Sequence, residues 1–355
     1  MTKSSYFWTD DYINAMTPFR KYITLILLLS FAIVACRKNR YKADISAIKV
    51  SLEIKRLEKD LFSPDPGRIA ESVPVLRMNY RGFLQLFSYV INAGDINDPS
   101  YGDFLERFCS DRLNNEVYDS VLKVFPDIST LQDELELAFR HYLYYFPGKN
   151  VPEVFTCITG FNNSIIAGDS VLGISLDRYL GAGSNYYRRL MIYKYLSDRM
   201  SPSNIVPDCM YGWAASEWDF ASLKYPDENV LAEMIHEGKL RYFEKCMLPE
   251  TDDGLIFGFT DDQMKFCRNN EGQMWQYLVE HNLLFSTDKF TIRKLTGEAP
   301  FTSYFTNESP GRAAAWIGFR IVESYMVKNP DETLNSLMAE TEIQKILEKA
   351  RYSPR

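Results

Sequence analysis

Histidine is nearly absent from this 355-residue chain, which has only His141, His236 and His281. A catalytic zinc site needs three protein ligands and an open position, so a site built on histidine alone would consume all three. Cysteine is also sparse: the six present include no CxxC pair, which excludes a zinc ribbon. Positive charge is in deficit, at a formal net charge of −7, and nucleic acid is therefore not an expected partner. Phosphate-binding glycine loops are missing too. Glu237-Gly238-Lys239-Leu240 lacks the upstream Gly and the following Ser or Thr of a Walker motif. Gly168-Asp169-Ser170-Val171-Leu172 lacks the closing Gly of a nucleophile elbow. No cofactor is expected. There is no repeat of fixed period and no low-complexity linker, and beyond residue 31 no apolar run is long enough to span a bilayer.

What is present starts at residues 16–36. Arg20 and Lys21 precede a mostly apolar run from Tyr22 to Phe31, followed by Ile33-Val34-Ala35-Cys36. The run falls short of the ~20 apolar residues of a spanning helix and has the charge order of a secretory signal peptide. Its ending resembles the bacterial lipobox, which implies diacylation of Cys36, cleavage just before it, and acylation of the new amino terminus. Two or more acyl chains give stable anchoring where one is marginal. Residues 1–15 carry Asp10 and Asp11, which do not suit a basic n-region, so translation is expected to start at Met16 and residues 1–15 read as a mis-called extension. The expected organisation is an extension (1–15), a lipoprotein signal peptide (16–35), a lipidated tether (36–44) and one globular, mostly helical domain (45–355).

Hydrophobic content of 46% and charged content of 25% are those of a soluble globular chain. Arg37-Lys38-Asn39-Arg40-Tyr41-Lys42 is a basic tether suited to anionic headgroups. Alternation over residues 48–54 predicts a half-buried strand. Residues 66–146 read as about five helices punctuated by Pro74, Asp98-Pro99 and Pro126-Asp127, with a capping box at Ser129–Gln132. Strands are predicted around residues 154–158, 164–167 and 171–176, the last two flanking a Gly168-Asp169 turn. Helices follow at about 187–198, 201–218, 227–247, 261–284, 311–328 and 341–350. Thr260–Gln263 is a second capping box, Ser309-Pro310 opens a helix and Asn329-Pro330 closes it. The fold class is α+β, predominantly helical, a single large domain with a small antiparallel sheet. Cys109, Cys157, Cys209, Cys246 and Cys267 are odd in number, and a domain of this size needs no disulfides; free buried thiols are expected.

Among chemical motifs, Met234-Ile235-His236-Glu237-Gly238-Lys239-Leu240 is the sharpest. A helical H-E-x-x-H sets two imidazoles one turn apart on zinc, with the Glu as general base. Here Leu240 stands in place of the second His. His236 is thus a possible metal ligand and Glu237 a possible catalytic base, with Glu233 a further oxygen donor. The favoured reading is that His236, Leu240 and Phe243 form one stripe of a packed helix. Asp95, Asn97, Asp103 and Glu106 fall at calcium-loop offsets, but Pro99 and Ser100 occupy the fifth and sixth positions, so calcium is not expected. The acidic pairs at Asp252-Asp253 and Asp261-Asp262 read as a loop and a helix start.

Several segments, in order, resemble a known family. They are Arg56-Leu57-Glu58-Lys59-Asp60-Leu61-Phe62; Gly173-Ile174-Ser175-Leu176-Asp177-Arg178-Tyr179-Leu180-Gly181; Ile205-Val206-Pro207-Asp208; the segment 234–242; Ser309-Pro310-Gly311-Arg312 with Trp316-Ile317-Gly318, Ile321-Val322 and Ser324-Tyr325-Met326; and Arg351-Tyr352-Ser353-Pro354. Behind a lipobox, this set resembles the gliding-motility lipoprotein GldB family of Bacteroidetes over nearly the whole mature chain. The resemblance implies a lipid-anchored outer-membrane protein facing the periplasm. It would be a non-enzymatic accessory or assembly component of the gliding and type IX secretion machinery, whose envelope proteins are its expected partners. It also implies a distant likeness to predicted zinc proteases, hence a degenerate zincin-like fold and, as the alternative, a tethered zinc metallopeptidase with an atypical ligand set around His236 and Glu237. Acidic surface-export residues are missing from the tether, consistent with a periplasmic orientation.

Overall fold

Four short strands and a set of helices are distributed over residues 39–63 and 65–354, which the computed structural model describes. The signal-peptide segment, Cys36 and the start of the basic tether lie outside the described residues. Strand β1 (Ile54–Arg56) leads into α1 (Leu57–Phe62), α2 (Ile69–Val90), α3 (Tyr101–Ser110), α4 (Arg112–Val124) and α5 (Ser129–Tyr145). Next come β2 (Glu153–Cys157), β3 (Ile165–Gly168) and β4 (Val171–Ser175). The remaining helices are α6 (Asn185–Arg189), α7 (Lys194–Ser197), α8 (Ile205–Glu217), α9 (Phe220–Leu223), α10 (Val230–Met247), α11 (Asp253–Phe257), α12 (Asp261–Asn269), α13 (Glu271–Glu280), α14 (Lys289–Thr296), α15 (Ala313–Lys328), α16 (Leu334–Ala339) and α17 (Ile343–Ala350). The class is α+β and predominantly helical, as expected, and Ala43–Arg355 is one compact unit.

The sheet is mixed, not purely antiparallel, with strand order β1-β2-β4-β3. β3 and β4 form the expected antiparallel hairpin, with Gly168 opposite Val171 across a two-residue turn in which Ser170 has φ 61°. β2 runs parallel to both neighbours, pairing Ile54 with Val154 on one side and Glu153 with Val171 on the other. Parallel strands need a long crossover, and between β1 and β2 helices α1–α5 supply it. The expected strand over residues 48–54 shrinks to β1 because α5 side chains claim the preceding backbone. Glu136 accepts from Leu52 N at 2.8 Å, and Arg140 donates to the carbonyls of Ile48 and Ile45.

Local signals fared differently. The Thr260–Gln263 capping box forms in full. The one at Ser129 does not: Asp127, two residues upstream, takes the Ser129 amide and hydroxyl. Pro74 lies inside α2 and does not end it. Ser309 and Pro310 precede α15 without capping it, because both are tied to Thr302. Arg312 (φ 59°) stands at the N-cap, and the Thr302 hydroxyl accepts the Ala313 amide.

Helix α10 is the axis of the domain: every residue of it except Glu233 and Glu237 is buried. It crosses α15 where two glycines meet. A Cβ on Gly318 would lie 1.7 Å from the Met234 carbonyl oxygen, and one on Gly238 would lie 2.4 Å from the Gly318 carbonyl. Only backbone-to-backbone contact fits there. This crossing fixes which way the polar side chains of α10 point.

Candidate functional site

His236 and Glu237 follow one another as in an H-E-x-x-H helix, and what separates them here is their partners, which lie on different elements. His236 lies on the side of α9 and its following loop. Its Nδ1 is 3.1 Å from the Tyr225 hydroxyl, and its ring meets Phe220 edge-on at 5.2 Å. One turn along, Lys239 is fully buried and donates to the same Tyr225 hydroxyl at 2.9 Å and to the Glu340 carbonyl oxygen at 2.8 Å. Burial, then the nearby Lys239 charge, pushes the His236 imidazole down to about 4. Burial pulls the Lys239 amine down to about 7.

Glu237 faces the other way and accepts from the Tyr211 hydroxyl of α8 at 2.9 Å. One turn further on, the Arg241 guanidinium lies 4.0 Å from the Tyr211 ring centre. It donates to Glu244 at 2.9 Å and to the Ile256 carbonyl at 2.7 Å. Burial pushes Glu233 up to about 7, with Glu237 and Glu228 adding to it. Burial also pushes Glu244 up to about 8 against the pull of Arg241.

Beyond Arg241 this polar interior opens into a cleft of about 360 Å³, lined among others by Tyr195, Arg199, Gly258, Thr260, Glu298 and Arg312. Arg199 donates to Glu298 at 3.0 Å and to Asp208 at 3.4 Å. Arg312 reaches Glu298 at 3.2 Å and the Phe257 carbonyl at 2.9 Å. Burial opposes ionisation of Glu298, yet Arg312 and Arg199 hold its carboxyl below the usual carboxylate range. Burial and the Arg199 charge push Arg312 down to about 10. Asp208 also accepts the Tyr179 hydroxyl at 2.8 Å. Gly258 is needed twice over, for its φ of 63° and because a Cβ there would strike Arg199 Nε at 2.1 Å. The guanidinium groups of this cleft bond to the domain's own carboxylates and carbonyls, tying α8, α11 and the start of α15 together, while Arg241 beside it ties α10 to α11.

A zinc ion does not fit around His236. The groups bonded around it are a phenol and an amine, the nearby Asp219 carboxylate is taken up capping α9 on Ser222, Leu240 is buried apolar packing, and Glu237 is bonded to Tyr211. His141 lies on α5 and His281 follows α13. Among the described residues no group of three or more His, Cys, Asp or Glu side chains is placed to hold a metal. In the calcium-like stretch, Asp95 and Asp98 close their own turns by accepting the amides of Asn97 and Ser100, each at 2.8 Å. The five described cysteines are free and buried.

Sequence reasoning missed Arg199, Tyr211, Tyr225, Glu244 and Glu298, and gave Arg241 no role although it lies in the segment 234–242. Part of the signal was nonetheless inside the segments that carried the family resemblance. Asp208, Tyr179 and Arg312 belong to the cleft network. Glu58 is fully buried, taking Arg56 at 2.6 Å and Thr156 at 2.8 Å. Asp177 is fully buried, accepts the amides of Thr159 and Phe161, and is pushed by burial up to about 6. Tyr352 bonds Glu271, which pairs with Arg320.

Comparison with known proteins adds one match: the family model described as gliding motility protein GldB aligns with residues 38–354. No curated protein and no solved structure matches the chain. The ordered segments that resembled this family supply some of the polar side chains that cross-brace the interior, among them Glu58, Asp177, Tyr179, Asp208 and Arg312, and the family model spans nearly all of that interior. The chain belongs to the GldB family of gliding motility lipoproteins.

Proposed function

We propose that this protein is an outer-membrane lipoprotein, held by acyl chains on Cys36, whose folded part faces the periplasm. There it serves as a non-enzymatic accessory or assembly component of the gliding and type IX secretion machinery and holds other envelope proteins. The family supports a lipid-anchored motility role. The lipobox-like ending at Cys36 and the basic tether without acidic export residues support the location. Among the described residues no helix is long and apolar enough to cross a membrane.

The observation that carries the non-enzymatic half is that His236 and Glu237 are each committed to a separate internal partner, the Tyr225 and the Tyr211 hydroxyl. A general base and its metal ligand have to face one substrate. That geometry weighs against the alternative of a zinc metallopeptidase around His236 and Glu237, and against any zincin-like chemistry in the fold.

The test is purification of the lipidated protein from native membranes after crosslinking. We expect envelope proteins of the secretion machinery to co-purify with wild type and with a His236→Ala, Glu237→Gln variant alike, and to be lost with Cys36→Ala, which also leaves the outer-membrane fraction. Unchanged fractionation of Cys36→Ala contradicts the anchor. Loss of partners and of motility in the His236, Glu237 variant at unchanged protein level contradicts the accessory role.

A further inference from the structure

Exposed apolar residues are scattered over the described surface, Met78 and Val75 on α2 among them, but three stand together with cationic neighbours at the turn between α6 and α7. Met191 is 85% exposed, Tyr193 69% and Leu190 38%. Arg188, Arg189 and Lys194 surround them and are exposed as well. Exposed consecutive apolar residues in a soluble domain mark a binding surface.

The turn is held in place by its backbone. Ile192 N bonds the Tyr187 carbonyl, Met191 N the Arg188 carbonyl, and Leu190 N the Tyr186 carbonyl. This is a helix-ending motif whose left-handed residue is normally glycine or asparagine. Here it is Met191, at φ 53°. An L-residue in that region costs about 1 kcal/mol or more, and the side chain carried at that cost is the most exposed apolar group on the surface. Tyr193 stacks on Tyr195 at 5.8 Å, so one ring of the turn is braced from behind.

We propose that residues 188–194 form a second membrane contact, inserting Leu190, Met191 and Tyr193 at the interface of an anionic bilayer. The inference rests on the reading of the chain as a lipid-anchored protein. The composition and charge suit a lipid interface. Aliphatic side chains enter the acyl boundary, tyrosine settles at headgroup level, and long cationic side chains snorkel to the phosphates. Arg189 and Lys194 contact Glu116 at 3.3 Å and Asp198 at 2.6 Å. These pairs are solvent-exposed and exchange readily for phosphate. With Arg188 the turn keeps a positive surplus on a chain whose net charge is −7, which is charge complementarity for an anionic headgroup layer. The acyl anchor confines the domain to the membrane surface, so the turn has to contribute only weak binding of its own.

The described cysteines are buried, so Met191→Cys and, as a control on α15, Val327→Cys offer selective sites for a nitroxide label. The labelled lipidated proteins are reconstituted in phosphatidylethanolamine–phosphatidylglycerol vesicles and relaxed with oxygen or with a water-soluble nickel chelate. We expect the 191 label to become oxygen-accessible and shielded from nickel, the 327 label to stay aqueous, and Arg188→Gln with Arg189→Gln to shift the 191 label back toward water. A protein that floats with the vesicles while its 191 label stays aqueous overturns the inference and leaves the anchor standing; one that does not float overturns both. A 191 label shielded from both reagents only in native membranes overturns lipid insertion in favour of a protein partner.

Discussion

On one side of α10 the Lys239 ammonium bonds a phenol and a backbone carbonyl beside a histidine held near 4, whereas on the other Arg241 meets Glu244 at 2.9 Å in full burial. The first setting tolerates a charge; the second requires one. Burying a paired charge costs little net, but removing one partner strands the other. Substitutions on the two sides should therefore behave differently even though both remove a buried polar side chain.

The largest effect belongs to Glu244→Leu, which leaves the always-charged Arg241 buried without its carboxylate; it should lower stability by about 3–5 kcal/mol. Adding Arg241→Met should recover most of that, with denaturant midpoints as the readout. Failure of the second substitution to rescue the first would erase the contrast. Gly318→Ala follows, at about 3 kcal/mol, the upper end of overpacking, because the new methyl meets the Met234 backbone and no flexible side chain can yield. It pries both sides apart together, so His236 and Tyr211 should change their environments in one step by NMR.

Lys239→Met should cost only about 1 kcal/mol at neutral pH, since it removes hydrogen bonds but strands no charge. Lys239 titrates near 7, below its ordinary 10.5. Its contribution is thus complete above pH 10.5 and lost as pH falls toward 7. The stability gap between wild type and this variant should shrink over that window. The smallest effect is on His236. Because Lys239 helps hold it down near 4, its titration should move upward in Lys239→Met, read from the imidazole carbon-bound protons. His236 itself contributes stability that is complete above pH 6.5 and lost as pH falls through about 4, so in Lys239→Met the stability lost on acidification should become smaller.

How much of this was legible depends on how far the interactions reach along the chain. The hairpin at residues 165–175 was readable because its turn chemistry is local, and so was the capping box at Thr260. The box at Ser129 was unreadable because an Asp two residues away competes for the same groups. The strand over residues 48–54 shortened because Glu136 and Arg140, more than 80 residues off, hold its backbone. Of the candidate site, His236 and Glu237 were singled out as a helical pair, but their separate partners, Tyr225 and Tyr211, lie 11 and 26 residues away and could not be read from the motif. The Arg199–Glu298 contact joins residues 99 apart and leaves no periodicity to detect. Arg312 and Asp208 could be found only through the segments that resembled the family.

The most direct test of the account is the metal content of the purified lipidated protein after equilibration with zinc, compared between wild type and His236→Ala. The divided faces of α10 predict no stoichiometric zinc in either and the same content in both. Stoichiometric zinc in wild type that disappears with His236→Ala would contradict the account and reinstate a metal centre on this helix.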